Sequence, residues 1–192
     1  MLICPLIYYL QKIKKMKKIT KILCLGILFL FAFSWQLSAQ KCKYDYDRAD
    51  PITGEASKGN TCTIQTYGMG FPIWQVGFNK MGDSYFIGNM YRLVGNVREV
   101  IQKGDQMFIK LSNGELITLV AQDDFLPIAK ATQSGVYTEY LSKYAIDAAT
   151  LQKIADNQPT FIRMNIESKT YEKEISSGDG KKMAQAAKCI LQ

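Results

Sequence analysis

Apolar and polar residues alternate along much of this chain after its first forty positions. A period of two marks strands that lie with one face on a core. Thr61–Tyr67, Ile73–Phe78 and Tyr85–Val94 are strand candidates, and Val136–Ile146 is expected to hold another. The clearest turn is Asn113-Gly114, set between the apolar runs of Met107–Val120, because Asn-Gly readily supplies the positive φ angles of a two-residue hairpin. Such a turn places Leu111 against Leu116, Ile109 against Thr118 and Met107 against Val120, with Phe108 and Leu119 sharing the other side. Both faces are then largely apolar, which predicts a central hairpin covered on each side. A turn at Gly104-Asp105 predicts that Arg98–Gln102 joins as a third strand, with Val100 against Ile109 and Glu99 opposite Lys110. The later hairpin, Phe161–Ile175, has one apolar face of Ile162, Met164 and Ile166 with Tyr171 and Ile175, and puts Arg163 opposite Glu174.

Two segments change to helical spacing. Asp147 is placed to cap Ala148–Asp156, whose Leu151, Ile154 and Ala155 form a short stripe, and Asn157 and Pro159 end it. At the C-terminus Met183, Ala186, Ala187, Ile190 and Leu191 fall on one helical face, with Cys189 off it beside Lys182 and Gln185. The fold expected is α+β and predominantly antiparallel β. It is a meander sheet, curled or sandwich-like, with a short helix near 148–156 and a C-terminal helix. Residues 41–192 suffice for one domain, and no linker or repeat divides them.

The first forty residues follow a different logic. Basic Met16–Lys21 precedes the uncharged Ile22–Phe33 and then the segment Ser34–Gln40, the order of a signal peptide. Cleavage is expected after Ala39 or Gln40. The start is expected at Met16, because residues 1–15 place an apolar run ahead of the basic residues. A retained membrane anchor is the competing account of the same uncharged stretch. Leu23 before Cys24 and Lys41 before Cys42 do not fit a lipoprotein signal. The expected location is therefore periplasmic, cell-surface or extracellular, with no membrane span once the leader is removed.

Removing the leader also changes the charge. Residues 1–40 hold six of the 24 Lys+Arg and none of the 17 Asp+Glu, so the remainder carries 18 against 17, a net +1. No nucleic-acid partner is expected of so balanced a chain. Cys42, Cys62 and Cys189 remain, in a compartment that favours pairing. An exposed thiol on the C-terminal helix would oxidise, which favours Cys42–Cys189. Cys42–Cys62 across a first hairpin is the rival.

The chain has no histidine. This excludes Ser-His-Asp and Cys-His catalysis and histidine-ligated zinc, copper or haem. No Cys-x-x-Cys pair and no phosphate-binding Gly-x-x-x-x-Gly-Lys-Ser/Thr loop occurs, Gly68-Met69-Gly70 is a lone Gly-x-Gly, and no cofactor is expected. Asp45, Asp47 and Asp50, with Glu55 nearby, form the densest acidic group and the candidate metal ligands, since alternating carboxylates offer oxygens to calcium. The spacing departs from a calcium loop, with Ala49 in fifth place, Asp50 where glycine belongs, and Glu55 one short of twelfth. A polar hairpin loop is the other account. Neighbouring Asp123 and Asp124 would point to opposite faces of a strand. The candidate ligand-binding residues are Tyr67, Phe71 and Trp74, in a Gly- and Pro-containing stretch that could present stacking faces. Against this, Phe71 and Trp74 could plug one end of the core.

Cys42-Lys43-Tyr44, Pro51-Ile52-Thr53-Gly54, the run Asn113–Leu119 and Phe161-Ile162-Arg163 together resemble a group of small secreted proteins of Bacteroidota-type bacteria with no assigned function. The resemblance implies export and a β-rich fold, and brings no catalytic residues. The function expected is that of an exported, non-catalytic envelope protein, a binding or accessory module for an envelope protein, glycan or small ligand. The alternative is a carboxylate-based hydrolase acting on glycans.

Overall fold

Two antiparallel sheets build the molecule, which we describe from a computed structural model over residues 42–68, 71–133 and 135–192. The leader, with its expected start and cleavage site, lies outside these residues. The first half of the chain supplies β1 (Tyr46–Ala49), β2 (Ala56–Tyr67), β3 (Phe71–Met81) and β4 (Ser84–Val94), and then β5 (Gln106–Leu111) and β6 (Leu116–Val120). The second half adds β7 (Ile128–Thr132), β8 (Gly135–Ile146), helix α1 (Ala148–Asp156), β9 (Pro159–Ile166), β10 (Lys169–Glu174) and helix α2 (Ser177–Leu191). The larger sheet runs β1-β2-β3-β4-β8-β7 and the smaller β10-β9-β5-β6. This is the expected α+β, largely antiparallel fold, with the larger sheet curled. Cys42–Gln192 forms one compact unit.

Glycines permit close approach where the larger sheet curls. A Cβ on Gly59 would meet Asn79 Oδ1 and the Tyr46 ring at 2.4 Å, so only glycine lets the Tyr46 hydroxyl reach Asn79 across the face. Trp74, Val76 and Phe78 from β3, Ile87 from β4, and Tyr140 and Tyr144 from β8 share one core with Met107 and Ile109 from β5 and Ile162 and Met164 from β9. Asn89 joins the sheets by donating to both Ser142 Oγ and Met164 Sδ. Asp147 caps α1 by accepting from the Thr150 amide at 2.7 Å, and the helix buries Leu151 and Ile154. Helix α2 buries Met183, Ala186, Ala187 and Ile190.

The β5–β6 hairpin forms one residue out of the expected register. Ile109 pairs with Ile117, and Met107 with Leu119. The Leu111 amide donates to Glu115 O and the Gly114 amide to Leu111 O, giving a three-residue loop in which only Gly114 has positive φ (88°). A two-residue type I′ turn needs positive φ at both central positions, and Asn113 does not adopt it. Because the side-chain period is two, the shift reassigns every β6 side chain. Ile117 and Leu119 are buried with Met107, Ile109 and Leu111, while Leu116, Thr118 and Val120 are exposed. The hairpin is therefore one-sided, with β6 at the sheet edge.

Arg98–Gln102 does not form the expected third strand. β9 occupies that flank of β5, pairing Met164 with Met107 and Ile162 with Ile109. Ile101 instead bridges Phe125, and Glu99 pairs with Lys169. Within the late hairpin Arg163 faces Glu172 rather than Glu174, at 2.9 Å.

Cys42 and Cys189 form the disulfide, with Cα atoms 5.5 Å apart. Cys189 is buried, contrary to the expectation of an exposed thiol. Helix α2 is covered on more than one side, by α1 and by β2, and the Tyr44 hydroxyl donates to Cys189 O. Cys62 is free and buried, and burial pushes its thiol pKa up to about 11, which keeps it protonated and unreactive.

Candidate functional site

At one end of the larger sheet, the face turned away from the core carries the site. Residues directly opposite in an antiparallel pair share a face. Arg92, Glu139 and Ile128 therefore form one row across β4, β8 and β7, and Val94, Tyr137 and Lys130 the next. Tyr67 and Phe71 pair at the adjoining end of β2 and β3.

Glu139 is 3% exposed although it lies on this outer face. Arg92 Nε reaches its Oε2 at 2.7 Å and Lys130 Nζ its Oε1 at 2.5 Å. Burial pushes the Glu139 pKa up, but hydrogen bonds from Lys130 and Arg92 and their charges outweigh it, so the carboxyl is held below its ordinary range. The Arg92 guanidinium lies 4.8 Å from the Phe71 ring centre and 5.6 Å from that of Tyr137. Those two rings meet edge-on, 5.6 Å apart.

Around this cation the structure leaves a cleft of about 720 Å³, walled by Tyr67, Phe71, Ile73, Leu93, Val94, Val136 and Tyr137, with Arg92, Thr132, Gly68 and Gly135 also in its lining. Val94 is 89% and Tyr67 69% exposed, and with the half-exposed Phe71 and Val136 in the same lining they form an apolar patch rather than scattered single side chains. Among the described lining residues none is a carboxylate.

Two of the three expected aromatic residues meet here, and the third does not. Trp74 is 1% exposed, packs edge-on to Tyr91 at 4.8 Å, and donates from Nε1 to Asn89 Oδ1 at 2.7 Å. Phe71 and Trp74 stand three apart on one strand, so they face opposite ways. Trp74 is a core residue and is dropped from the candidate site. Arg92, Tyr137 and Glu139 were missed because Tyr85–Val94 and Val136–Ile146 read as separate strands, and Lys130 because Ile128–Thr132 was not read as a strand. The charge complementarity of Arg92 and Glu139 appears only once β4 and β8 are paired.

The acidic group is not gathered. Asp45 Oδ2 accepts from the Thr61 amide, and Asp50 Oδ1 accepts from the amides of Thr53 and Ile52, hydrogen bonds that lower the Asp50 pKa. Asp47 stands on β1, opposite Lys58. Among the described residues no group of three or more Cys, Asp or Glu is placed to hold a metal ion, so the candidate site Asp45, Asp47, Asp50 does not assemble. Asp124 accepts from the Lys103 amide. Also among the described residues, no helix is long and apolar enough to cross a membrane.

Comparison with known family models, with curated proteins and with solved structures finds no match.

Proposed function

We propose that this protein is an exported, non-catalytic binding module of the cell envelope, and that its ligand seat is the cleft beside Phe71 and Tyr137. The carrying observation is the cleft itself, where exposed aromatic and aliphatic side chains surround an arginine held in place by a buried carboxylate. Pre-positioned polar groups in an apolar concavity favour recognition over surface adhesion. Export is supported by the pattern of the first forty residues and by the Cys42–Cys189 pairing, since disulfides persist in oxidising compartments. Against a glycan hydrolase stands the lack of a facing acid pair among the described cleft residues. The nearby Glu139 is held ionised by two cations, whereas a general acid needs a raised pKa.

The test places a photo-crosslinking side chain at Tyr67, at the cleft mouth, and at Lys143 as a control elsewhere on the sheet, followed by exposure to the native envelope. Capture of a defined ligand from position 67 alone, without turnover of a glycan panel, is expected. Glycan turnover with no capture would overturn the proposal.

A further inference from the structure

We infer that two copies of this chain meet through the outer face of the smaller sheet, about a two-fold axis that runs along β9. This face belongs to the other sheet from the cleft, and the inference does not depend on the binding-module reading. Opposed residues set Glu174, Phe161, Lys110 and Leu116 in one row across β10, β9, β5 and β6, and Glu172, Arg163, Phe108 and Thr118 in the next. The face is open to solvent. Leu116 is 57% exposed, and Phe108, Phe161, Lys110 and Glu174 line a groove of about 610 Å³. The two rings are half-buried while Lys110 and Glu174 are exposed, so the rings form a floor and the charged side chains stand above it.

The charges of this face divide into a closed pair and an open one. Arg163 donates to Glu172 Oε2 from both Nε and Nη2, and its guanidinium lies 5.6 Å from the Phe161 ring centre. Lys110 and Glu174 make no ion pair among the described residues. They stand on either side of Phe161, two strand spacings or about 9.6 Å apart. In an isologous contact a patch meets its own copy, so residue i faces j while j faces i. An axis along β9, lying in the plane of contact, exchanges β10 with β5, because each is one strand from β9. It sets Lys110 over Glu174 of the second copy, and Glu174 over Lys110 of that copy, within the same row. Phe161 then meets its own counterpart, and each Arg163 approaches the other with its charge already balanced by Glu172. A ligand carrying a single charge would satisfy only one of the two open groups. A second copy satisfies both.

A face four strands wide is small for a permanent dimer, so the association is reversible, with a Kd expected in the micromolar range or weaker. Sedimentation equilibrium of the purified protein, carried to millimolar concentration, tests it. Lys110→Glu and Glu174→Lys should each weaken self-association at least about tenfold, and the two together should restore it to within about threefold. Lys143→Glu, on the larger sheet, makes the same change in net charge and should leave the constant unaltered. All four variants should keep the melting temperature, since the substituted side chains are exposed. Added salt should weaken the unsubstituted dimer severalfold, because exposed pairs are screened. A monomer at every concentration would overturn the inference. So would a dimer indifferent to salt, one that survives both reversals, or one that the double exchange does not restore.

Discussion

Opposite faces of the same three strands, β3, β4 and β8, carry two clusters of similar composition and opposite fate. On the inner face Trp74, Tyr91, Asn89 and Ser142 pack an indole, a phenol and short polar groups into a closed network, with Trp74 Nε1 donating to Asn89 and Asn89 to Ser142. On the outer face Phe71, Tyr137, Arg92 and Glu139 also combine rings with polar groups, but they border an open cleft. The inner cluster uses neutral polar groups that satisfy one another. The outer cluster uses charges and leaves its rings partly exposed. Aromatic residues on one strand thus serve stability or recognition according to what the fold stacks above them, not according to their chemistry alone.

Removing the two rings separately gives the largest contrast. Trp74→Ala empties a closed core site and should cost about 3–5 kcal/mol in a denaturant titration. Phe71→Ala, at the half-exposed cleft wall, should cost within about 1 kcal/mol while weakening any ligand of the cleft. Equal stability losses would erase the distinction between the faces.

Loss of the Cys42–Cys189 bridge, through Cys42→Ser with Cys189→Ser, should cost about 2–5 kcal/mol, given the long loop it closes. Hydrogen exchange should then rise in α2 and β2 and little at Arg92 and Tyr137. An even rise everywhere would show that the cleft end depends on the staple as well.

Glu139→Gln should cost about 1–3 kcal/mol, less than a fully buried pair, because Lys130 is 43% exposed. It should also change the response to acid. A carboxyl whose folded pKa lies below its unfolded value, about 4.3 for Glu, contributes fully above that value and loses its contribution as pH falls through the folded pKa. The substitution should flatten the stability profile below about pH 4.3, with little change in its shape near neutrality. A steeper acid limb in the variant would contradict the assigned direction.

The smallest effect belongs to the inner face. The Tyr144 hydroxyl is buried beside Ser142, but makes no hydrogen bond of good geometry among the described residues. Tyr144→Phe should therefore be neutral or stabilising by about 1 kcal/mol in the same titration. A clear loss would mean that the hydroxyl has a partner in solution.

Helix α1, its Asp147 cap, the apolar face of α2 and the long strands were legible because each is a local pattern, set by spacing and capping within a dozen residues. The register of β5–β6 was not. It turned on whether Asn113 takes a positive φ, and Asn-Gly is compatible with more than one turn. The place of β9 beside β5 was hidden for a further reason. Arg98–Gln102 offers a plausible neighbouring strand, and nothing local says that Ile162 and Met164 bury their side chains better there. At the site, Tyr67 and Phe71 were visible as an aromatic stretch, and the spacing of three between Phe71 and Trp74 already separated their faces.

By itself the sequence determined the two helices and the long strands, the near-neutral charge of residues 41–192, the absence of histidine chemistry and the expectation of export. These depend on composition and on neighbours along the chain. Tertiary structure alone decided that Trp74 is interior, that Cys189 is covered, and that Arg92 meets Glu139, Lys130, Phe71 and Tyr137 around one cleft. Those outcomes depend on which distant strands pair and in what register, and pairing is chosen by burial summed over the whole core rather than by any one segment.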